Sequence, residues 1–311
     1  MTLLQLEYIV ALDKHRHFRL AAESCHVTQP SLSTQIQKLE EELGVILFDR
    51  NVRPIAPTEL GRQIIAHARV VLGEVARLQA LVQEATGEMA GELRVGILST
   101  IAPYLLPIVI AAFSRRYPNV TLLFEEFRTD QIVDRVQRDL LDAGLIATPV
   151  TTPDMVDVPL FVEPLVGYVA RGHRLFDKAT ITADDLRADD LWLMSTGHCF
   201  RDQVLALLGD RAAEIPPQGG IRFESGNLET LQRLVDRGHG MTLLPWLAVT
   251  GEGSHAPESV RPFVDPHPTR TVRIAYARIL PKRHFVRALI QEIITATTPF
   301  LPAGSVLASA E

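Results

Sequence analysis

Residues 20–53 read LAAESCHVTQPSLSTQIQKLEEELGVILFDRNVR, and this stretch decides the fold. Ala21 and Ala22 lie in a short helix that ends near Cys25, and their small side chains let a following helix pack closely. Thr28 reads as an N-cap, and Pro30 stands where the first helical turn needs no backbone N–H. That helix runs to Leu43, and Gly44 ends it. Leu32, Ile36, Leu39 and Leu43 recur at helical spacing as an inner face, with Ser31, Ser33, Thr34, Gln35 and Lys38 opposite. Two helices joined by a short polar break form a helix-turn-helix, whose second helix is shaped for a DNA major groove. Thr28, Gln29, Pro30, Ser31, Ser33, Thr34 and Lys38 are therefore expected to face DNA.

The flanks extend this reading. Leu4, Tyr8, Ile9 and Leu12 place a first helix over residues 4–18. Residues 45–57 read as two short strands and a turn, a wing that carries Arg50 and Arg53 as phosphate-binding cations. Thr58 then caps a long helix reaching about Glu88. Its apolar residues Ile64, Ala68, Val71, Val75, Leu78 and Val82 alternate steps of four and three, a heptad seam that asks for a partner helix and so for a homodimer. The other reading of this seam is a long helix packed on its own domain. Gly87 and Gly91 flank a hinge. From residue 93 short strands alternate with helices, the pattern of an α/β domain, with strands expected at 93–97, 121–127, 143–147, 166–170, 191–194, 221–224, 242–244 and 272–276. A last helix is expected at 282–297, with a small, polar, disordered tail after Pro302.

Composition bounds the function without naming it. A chain of 311 residues, 47% of them hydrophobic, supports more than one packed core. The net charge of −6 gives no hint of nucleic acid, and within residues 1–66 seven Lys/Arg face eight Asp/Glu. DNA binding must then rest on where the cations sit. No basic region followed by an apolar run opens the chain, and no apolar stretch is long enough to span a membrane. The two cysteines, Cys25 and Cys199, make no disulfide framework, so a cytoplasmic, reducing location is expected. His15 and His17 lack partners at metal spacing, and no metal or other cofactor is expected.

The segment GHCFRDQVLALLG, from residue 197, carries the second signal. Phe200, Val204, Leu207 and Leu208 fall at helical spacing after the turn Gly197-His198, so Cys199 stands at a helix N-terminus. Open amides and the helix dipole favour an anion there. A thiolate needs that help, because a free thiol has a pKa of about 8.5. His198 and Arg201 stand close in sequence as donors or positive charge, and Asp202 is placed to handle a proton. This is the setting of a thiolate that attacks peroxide oxygen and becomes a sulfenic acid. The competing reading is a small buried hydrophobe, which is how Cys25, facing the small-residue helix, is read.

The winged helix-turn-helix, the heptad linker and the α/β domain together resemble a LysR-type transcriptional regulator over nearly the whole chain. The block TQPSLSTQIQKLEEELGVILFDR is the specific part of the match. PYLLP at 103–107, VPLFVEP at 158–164, GHCFRDQ at 197–203, LETL at 228–231 and MTLLPWLAV at 241–249 bring the chain nearest to the peroxide-sensing members. The resemblance implies an α/β protein in four parts. These are a winged helix-turn-helix (1–57), a dimerisation helix (58–90), a two-subdomain effector domain like a periplasmic binding protein (91–302) and the tail (303–311). It implies a homodimer or homotetramer acting as an activator on promoter DNA, with RNA polymerase as partner, hydrogen peroxide as effector and no catalytic role. It also implies that Thr100 and Thr129, matched by their flanks, position the peroxide from the facing subdomain. One departure matters: where the peroxide sensors carry a resolving cysteine, nine residues after the first, this chain has Leu208. The alternatives that stay open are a small ligand in the cleft between the two halves and a thiol peroxidase.

Overall fold

The computed structural model describes residues 1–50, 52–86, 89–187, 189–209, 223, 225–250, 257–280 and 282–307. Its first part is α1 (Leu3–His15), α2 (Phe18–Ser24) and α3 (Gln29–Leu43), followed by the two-residue strands β1 (Phe48–Asp49) and β2 (Ala56–Pro57). The local signals act as expected at α3. The Thr28 hydroxyl accepts the Ser31 amide at 3.4 Å, and Gly44 closes the helix in the left-handed region at φ +68°. Leu32, Ile36 and Leu39 meet Ile9, Leu12, Ala21 and Ala22 in one buried core. Leu43 does not join them and is 37% exposed. Leu47 and Phe48 of the wing fill that core instead.

The long helix α4 (Glu59–Thr86) begins against the same core, in which Ile65 and Ala68 are buried. Gly61 passes the Leu47 carbonyl so closely that a Cβ there would overlap it, so no other residue lets α4 sit this near the wing. Residues 87 and 88, and with them the expected hinge at Gly87, lie outside the described residues.

The rest is built from β3 (Gly91–Ile97), α5 (Ala102–Arg116), β4 (Val120–Glu126), α6 (Thr129–Gln137), β5 (Ala143–Ile146), β6 (Met155–Val169), α7 (Cys199–Leu208), α8 (Leu228–Asp236), β7 (Met241–Pro245), α9 (Trp246–Thr250), β8 (Val260–Pro262), β9 (Thr269–Ala277) and α10 (Arg283–Thr297). Strands run in the order β4-β3-β5-β9-β6-β7, with β8 also on β6. β3 is parallel to β4 and β5, whereas β9 is antiparallel to β5 and β6.

β6 organises the domain. Residues 155–164 pair with β9, and residues 165–169 pair with β7 and β8. One strand therefore belongs to two halves, and the chain crosses back from β8 into β9. Each half has its own core. Ile97, Phe113, Ile132, Leu145 and Ile274 lie in the first, and Tyr168, Leu193, Val204, Leu231 and Leu243 in the second.

Several expectations change here. The strand read at 166–170 is the last part of a strand of fifteen residues. Residues 191–194 make only two single bridges, Leu191 to Met241 and Met194 to Ser225. The strand read at 221–224 lies largely outside the described residues. The tail is partly ordered by pairing: the Val162 amide donates to the Ser305 carbonyl at 2.7 Å, and the Leu307 amide to Leu160 at 2.9 Å. These bonds give residues 305–307 the backbone partners that a disordered tail would find only in water. Residues 308–311 are outside the description. Among the described residues no helix is long and apolar enough to cross a membrane.

Candidate functional site

Cys199 is the first residue of α7, with His198 in extended backbone as its N-cap. Gly197 precedes them at φ +92°, a left-handed turn in which a Cβ would lie 2.9 Å from Arg128 Nη1. Arg128 is itself the N-cap of α6, and Thr129 is that helix's first residue. The N-termini of α6, from the first half, and α7, from the second, therefore meet face to face. Between them is a cavity closed in by Thr100, Arg128, Thr129, Gly197, His198 and Cys199, with Leu98, Ser99 and Phe200 behind. It offers about 10 Å³ to the centre of a water-sized guest, close to the minimum that holds one water.

The groups around the sulfur pull in opposite directions. Burial is the largest influence and pushes the Cys199 thiol above its ordinary pKa. The Thr129 hydroxyl, the Arg270 guanidinium and the Phe200 amide pull it down, and Asp202 pushes it up. Thr129 Oγ1 is near enough to act on the sulfur, yet it is buried with no partner at full hydrogen-bond geometry. A buried hydroxyl without a full-geometry hydrogen bond, beside a thiol and on the wall of a cavity about one water in size, is a place for a small molecule with both donors and acceptors. His198 is lowered from its ordinary pKa, first by burial and then by Arg128, so its imidazole is neutral at pH 7.

Behind the cavity stands Arg270, 3% exposed. It donates to the Thr100 hydroxyl at 3.3 Å and to the Thr100 carbonyl at 3.0 Å. It pairs with Glu163, which is fully buried, at 2.8 Å. Its guanidinium carbon lies 5.5 Å from the Phe200 ring centroid.

At the other end of the molecule α3 presents Thr28, Gln29, Pro30, Ser31, Thr34 and Lys38 as exposed residues and Ser33 as half-buried. The Thr34 hydroxyl donates back to the Pro30 carbonyl at 2.8 Å. Arg53 is exposed and, among the described residues, has no ion-pair partner. Arg50 is held differently: its guanidinium donates to Glu40 on α3 at 2.8 Å.

Comparison with known proteins agrees with both ends. Residues 3–62 match the family described as bacterial regulatory helix-turn-helix protein, lysR family, and residues 86–297 match the LysR substrate binding domain. The DNA-binding transcriptional dual regulator OxyR of Escherichia coli K12 is 36% identical over 293 residues, 94% of this chain and 95% of its own. This chain is a LysR-type transcriptional regulator. A probable hydrogen peroxide-inducible genes activator of Streptomyces viridosporus is 37% identical to the regulator over 88% of it and 87% of the relative. A full-length OxyR variant from Pseudomonas aeruginosa has the same architecture, with a TM-score of 0.76, 38% identity and 94% of each chain covered. A peroxide-bound OxyR mutant from Corynebacterium glutamicum, 26% identical, covers all of the regulator and 98% of its own chain at a TM-score of 0.61.

The regulator's fold brings together four of the residues singled out from sequence, Thr100, Thr129, His198 and Cys199, and leaves two aside. Arg201 turns away and donates to the Met194 carbonyl at 2.8 Å, fastening the start of α7 to the preceding segment. Asp202 is exposed on the outer face of α7. The positive charge at the sulfur comes from Arg270, which sequence reasoning missed. A signal existed: Arg270 stands at the inward parity of β9 with Val272 and Ile274, where a charge needs a buried partner. The thiol's upward shift also corrects the expectation that helix terminus and neighbours alone make it anionic. Along α4, Ala68 is buried in the N-terminal core and Ile64 packs against it, so the start of the heptad seam is used within the protomer. Val71 and Leu78 are 44% and 65% exposed, Val75 is half-buried, and the Val82 side chain lies outside the description.

Proposed function

We propose that this regulator binds promoter DNA through α3 and the β1–β2 wing and is switched by hydrogen peroxide at Cys199. The observation that carries the reading is the unpartnered Thr129 hydroxyl opposite the sulfur, in a cavity with room for one small hydroxylic molecule and none for a carboxylate ligand. A peroxide there accepts from one threonine hydroxyl while its other oxygen meets the sulfur. The sulfur lone pair bonds to the near oxygen and the O–O bond breaks. The departing oxygen takes the thiol proton and leaves as water, so a thiol and peroxide become a sulfenic acid and water. Arg270 and the Phe200 amide favour the thiolate, the form whose lone pair attacks, and as the O–O bond breaks the negative charge passes from sulfur to the departing oxygen. Position 208 is a leucine, 1% exposed in the second core, so the oxidised sulfur has no partner thiol within the regulatory domain. The sulfenate itself, or its disulfide with an external or partner-subunit thiol, is then the signal.

Gln29, Ser31 and Ser33 read base edges, while Lys38 and Arg53 meet phosphates. Arg50, tied to Glu40, positions the wing on α3. The regulator acts as a homotetramer in the cytoplasm, joined along the exposed Val71 and Leu78 side of α4, and passes its signal to RNA polymerase without enzymatic turnover. The test is the intact mass and DNA footprint of the full-length protein before and after one equivalent of peroxide. One added oxygen on Cys199 with a changed footprint is expected; an unmodified Cys199 refutes the reading.

Two outcomes follow. Because burial holds the thiol above its ordinary pKa, the thiolate is a minor form at neutrality and grows as pH rises. The rate of Cys199 oxidation, followed by mass, is expected to climb from pH 7 toward about pH 9, past the ordinary thiol pKa of about 8.5. A rate that is flat over that interval contradicts the assigned direction. Lys38→Ala is expected to weaken binding about equally on all sequences and to reduce the slope of log affinity against log salt by ~1. Loss of discrimination at one base pair with an unchanged slope removes Lys38 from the phosphate contacts.

A further inference from the structure

We infer that α6 is the strut that carries the state of Cys199 to the DNA-binding helices, with Asp139 as its far contact. The inference rests on the proposed oxidation of Cys199 and adds the route by which it acts.

One end of α6 is Thr129, which shares the cavity with Cys199. An oxygen added to the sulfur enters a space that holds about one water and meets the Thr129 hydroxyl first. Between its ends α6 is a rigid body of nine residues, about 13 Å long. Ile132 and Val136 are buried beneath it. Gly96 and Gly144 lie directly below Ile132, where a Cβ on Gly144 would overlap the isoleucine side chain. So closely seated a helix moves as a unit.

The other end leads into Asp139, in the left-handed region at φ +56°. Its carbonyl accepts Lys14 Nζ at 2.6 Å and its carboxylate accepts Arg69 Nε at 3.1 Å. Arg69 also reaches Asp13 at 2.8 Å. Lys14 and Asp13 are on α1, and Arg69 is on α4. The end of α6 is thus bonded to two helices of the N-terminal domain. Burial lowers the pKa of Lys14, so this contact is partly withdrawn from water.

Beside these ionic contacts lies an open space of about 420 Å³, bounded by Val10, Ala66, Leu72, Leu141 and Ile279. The joint between the two domains is therefore held by directional polar contacts and by the close seat of Ile279 on Gly73 of α4, with a void beside them. A shift of α6 re-aims Asp139, and α1 and α4 have room to follow. Since α1 packs on α2 and α3, the displacement reaches the DNA face.

The experiment uses the full-length protein in three forms: wild type, Asp139→Gly, which removes the carboxylate and fits the left-handed backbone, and the double variant Lys14→Met with Arg69→Gln, which leaves α6 untouched. Each is assayed for oxygen on Cys199 by mass after peroxide. Its affinity is then measured, reduced and oxidised, for a DNA fragment selected from a random library by the reduced wild type. The wild type is expected to show an affinity ratio within the usual allosteric range of about 5–150-fold. Both variants are expected to be oxidised at the wild-type rate, with the ratio falling to within about two-fold of unity. Should Asp139→Gly fail to fold, the double variant decides. A wild-type ratio kept in the folded variants overturns the strut. No oxygen on wild-type Cys199 overturns instead the peroxide reading on which it rests.

Discussion

Replacing Cys199 by serine is expected to leave DNA binding by the reduced protein unchanged and to abolish the transcriptional response to peroxide. The substitution trades one sulfur for one oxygen at the first position of α7, where a hydroxyl is well tolerated. Phe200, buried in the second core, and Arg201, bonded to the Met194 carbonyl, still hold the start of the helix. What is lost is the only nucleophile in the cavity that peroxide oxidises, since a serine hydroxyl makes no sulfenate. No other thiol in the regulatory domain replaces it. Cys25 belongs to the DNA-binding domain, has Ser24 Oγ at 3.9 Å and is raised above its ordinary pKa chiefly by burial. In vitro transcription with and without peroxide reads the outcome. A response that survives in the serine variant moves the sensor to Cys25 or to a ligand in the cleft.

The parts of this protein legible from sequence are those whose cause is local. Thr28, Pro30 and Gly44 mark the ends of α3 by the needs of their own backbone, and the spacing of Leu32, Ile36 and Leu39 fixes its inner face without reference to anything distant. Cys199 at a helix start was readable for the same reason. What was not readable depends on pairing between distant segments. Pro159 and Pro164 interrupt the pattern of β6, so the longer part of the strand, which joins β9, is hidden, although it holds the two subdomains together. Sequence neighbours of Cys199 looked like its electrostatic partners, yet Arg201 points away on a helix while Arg270 arrives from another strand. In α4 the heptad spacing continued into turns that had a nearer use. Ala68 is spent on the protomer's own core, because the helix must first seat itself beside Leu47 and Phe48.

Removing the carboxylate of Glu163 is expected to destabilise the regulatory domain strongly. Glu163 and Arg270 face each other across β6 and β9 in register, where the chain passes between the two halves. Glu163 accepts Arg270 Nε at 2.8 Å through one oxygen and the Leu247 amide at 3.0 Å through the other. With Glu163→Ala the guanidinium stays buried without its counter-charge, a defect that costs about 3–5 kcal/mol. Against a typical total stability of about 5–15 kcal/mol, that is a large share, and the thermal midpoint should fall by roughly 6–20 °C at about 2–4 °C per kcal/mol. Glu163→Gln should lose less, because an amide oxygen still serves one of the two donors. The double variant Glu163→Ala with Arg270→Met should recover much of the midpoint, since both buried charges then go together. It should nevertheless oxidise more slowly at Cys199. The Thr100 hydroxyl loses its donor, and the sulfur loses the guanidinium that draws its pKa down. A Glu163→Ala midpoint within about 2 °C of wild type would show that the pair is solvated in solution, and Arg270 would then lose its claim to tune the sulfur from a dry site.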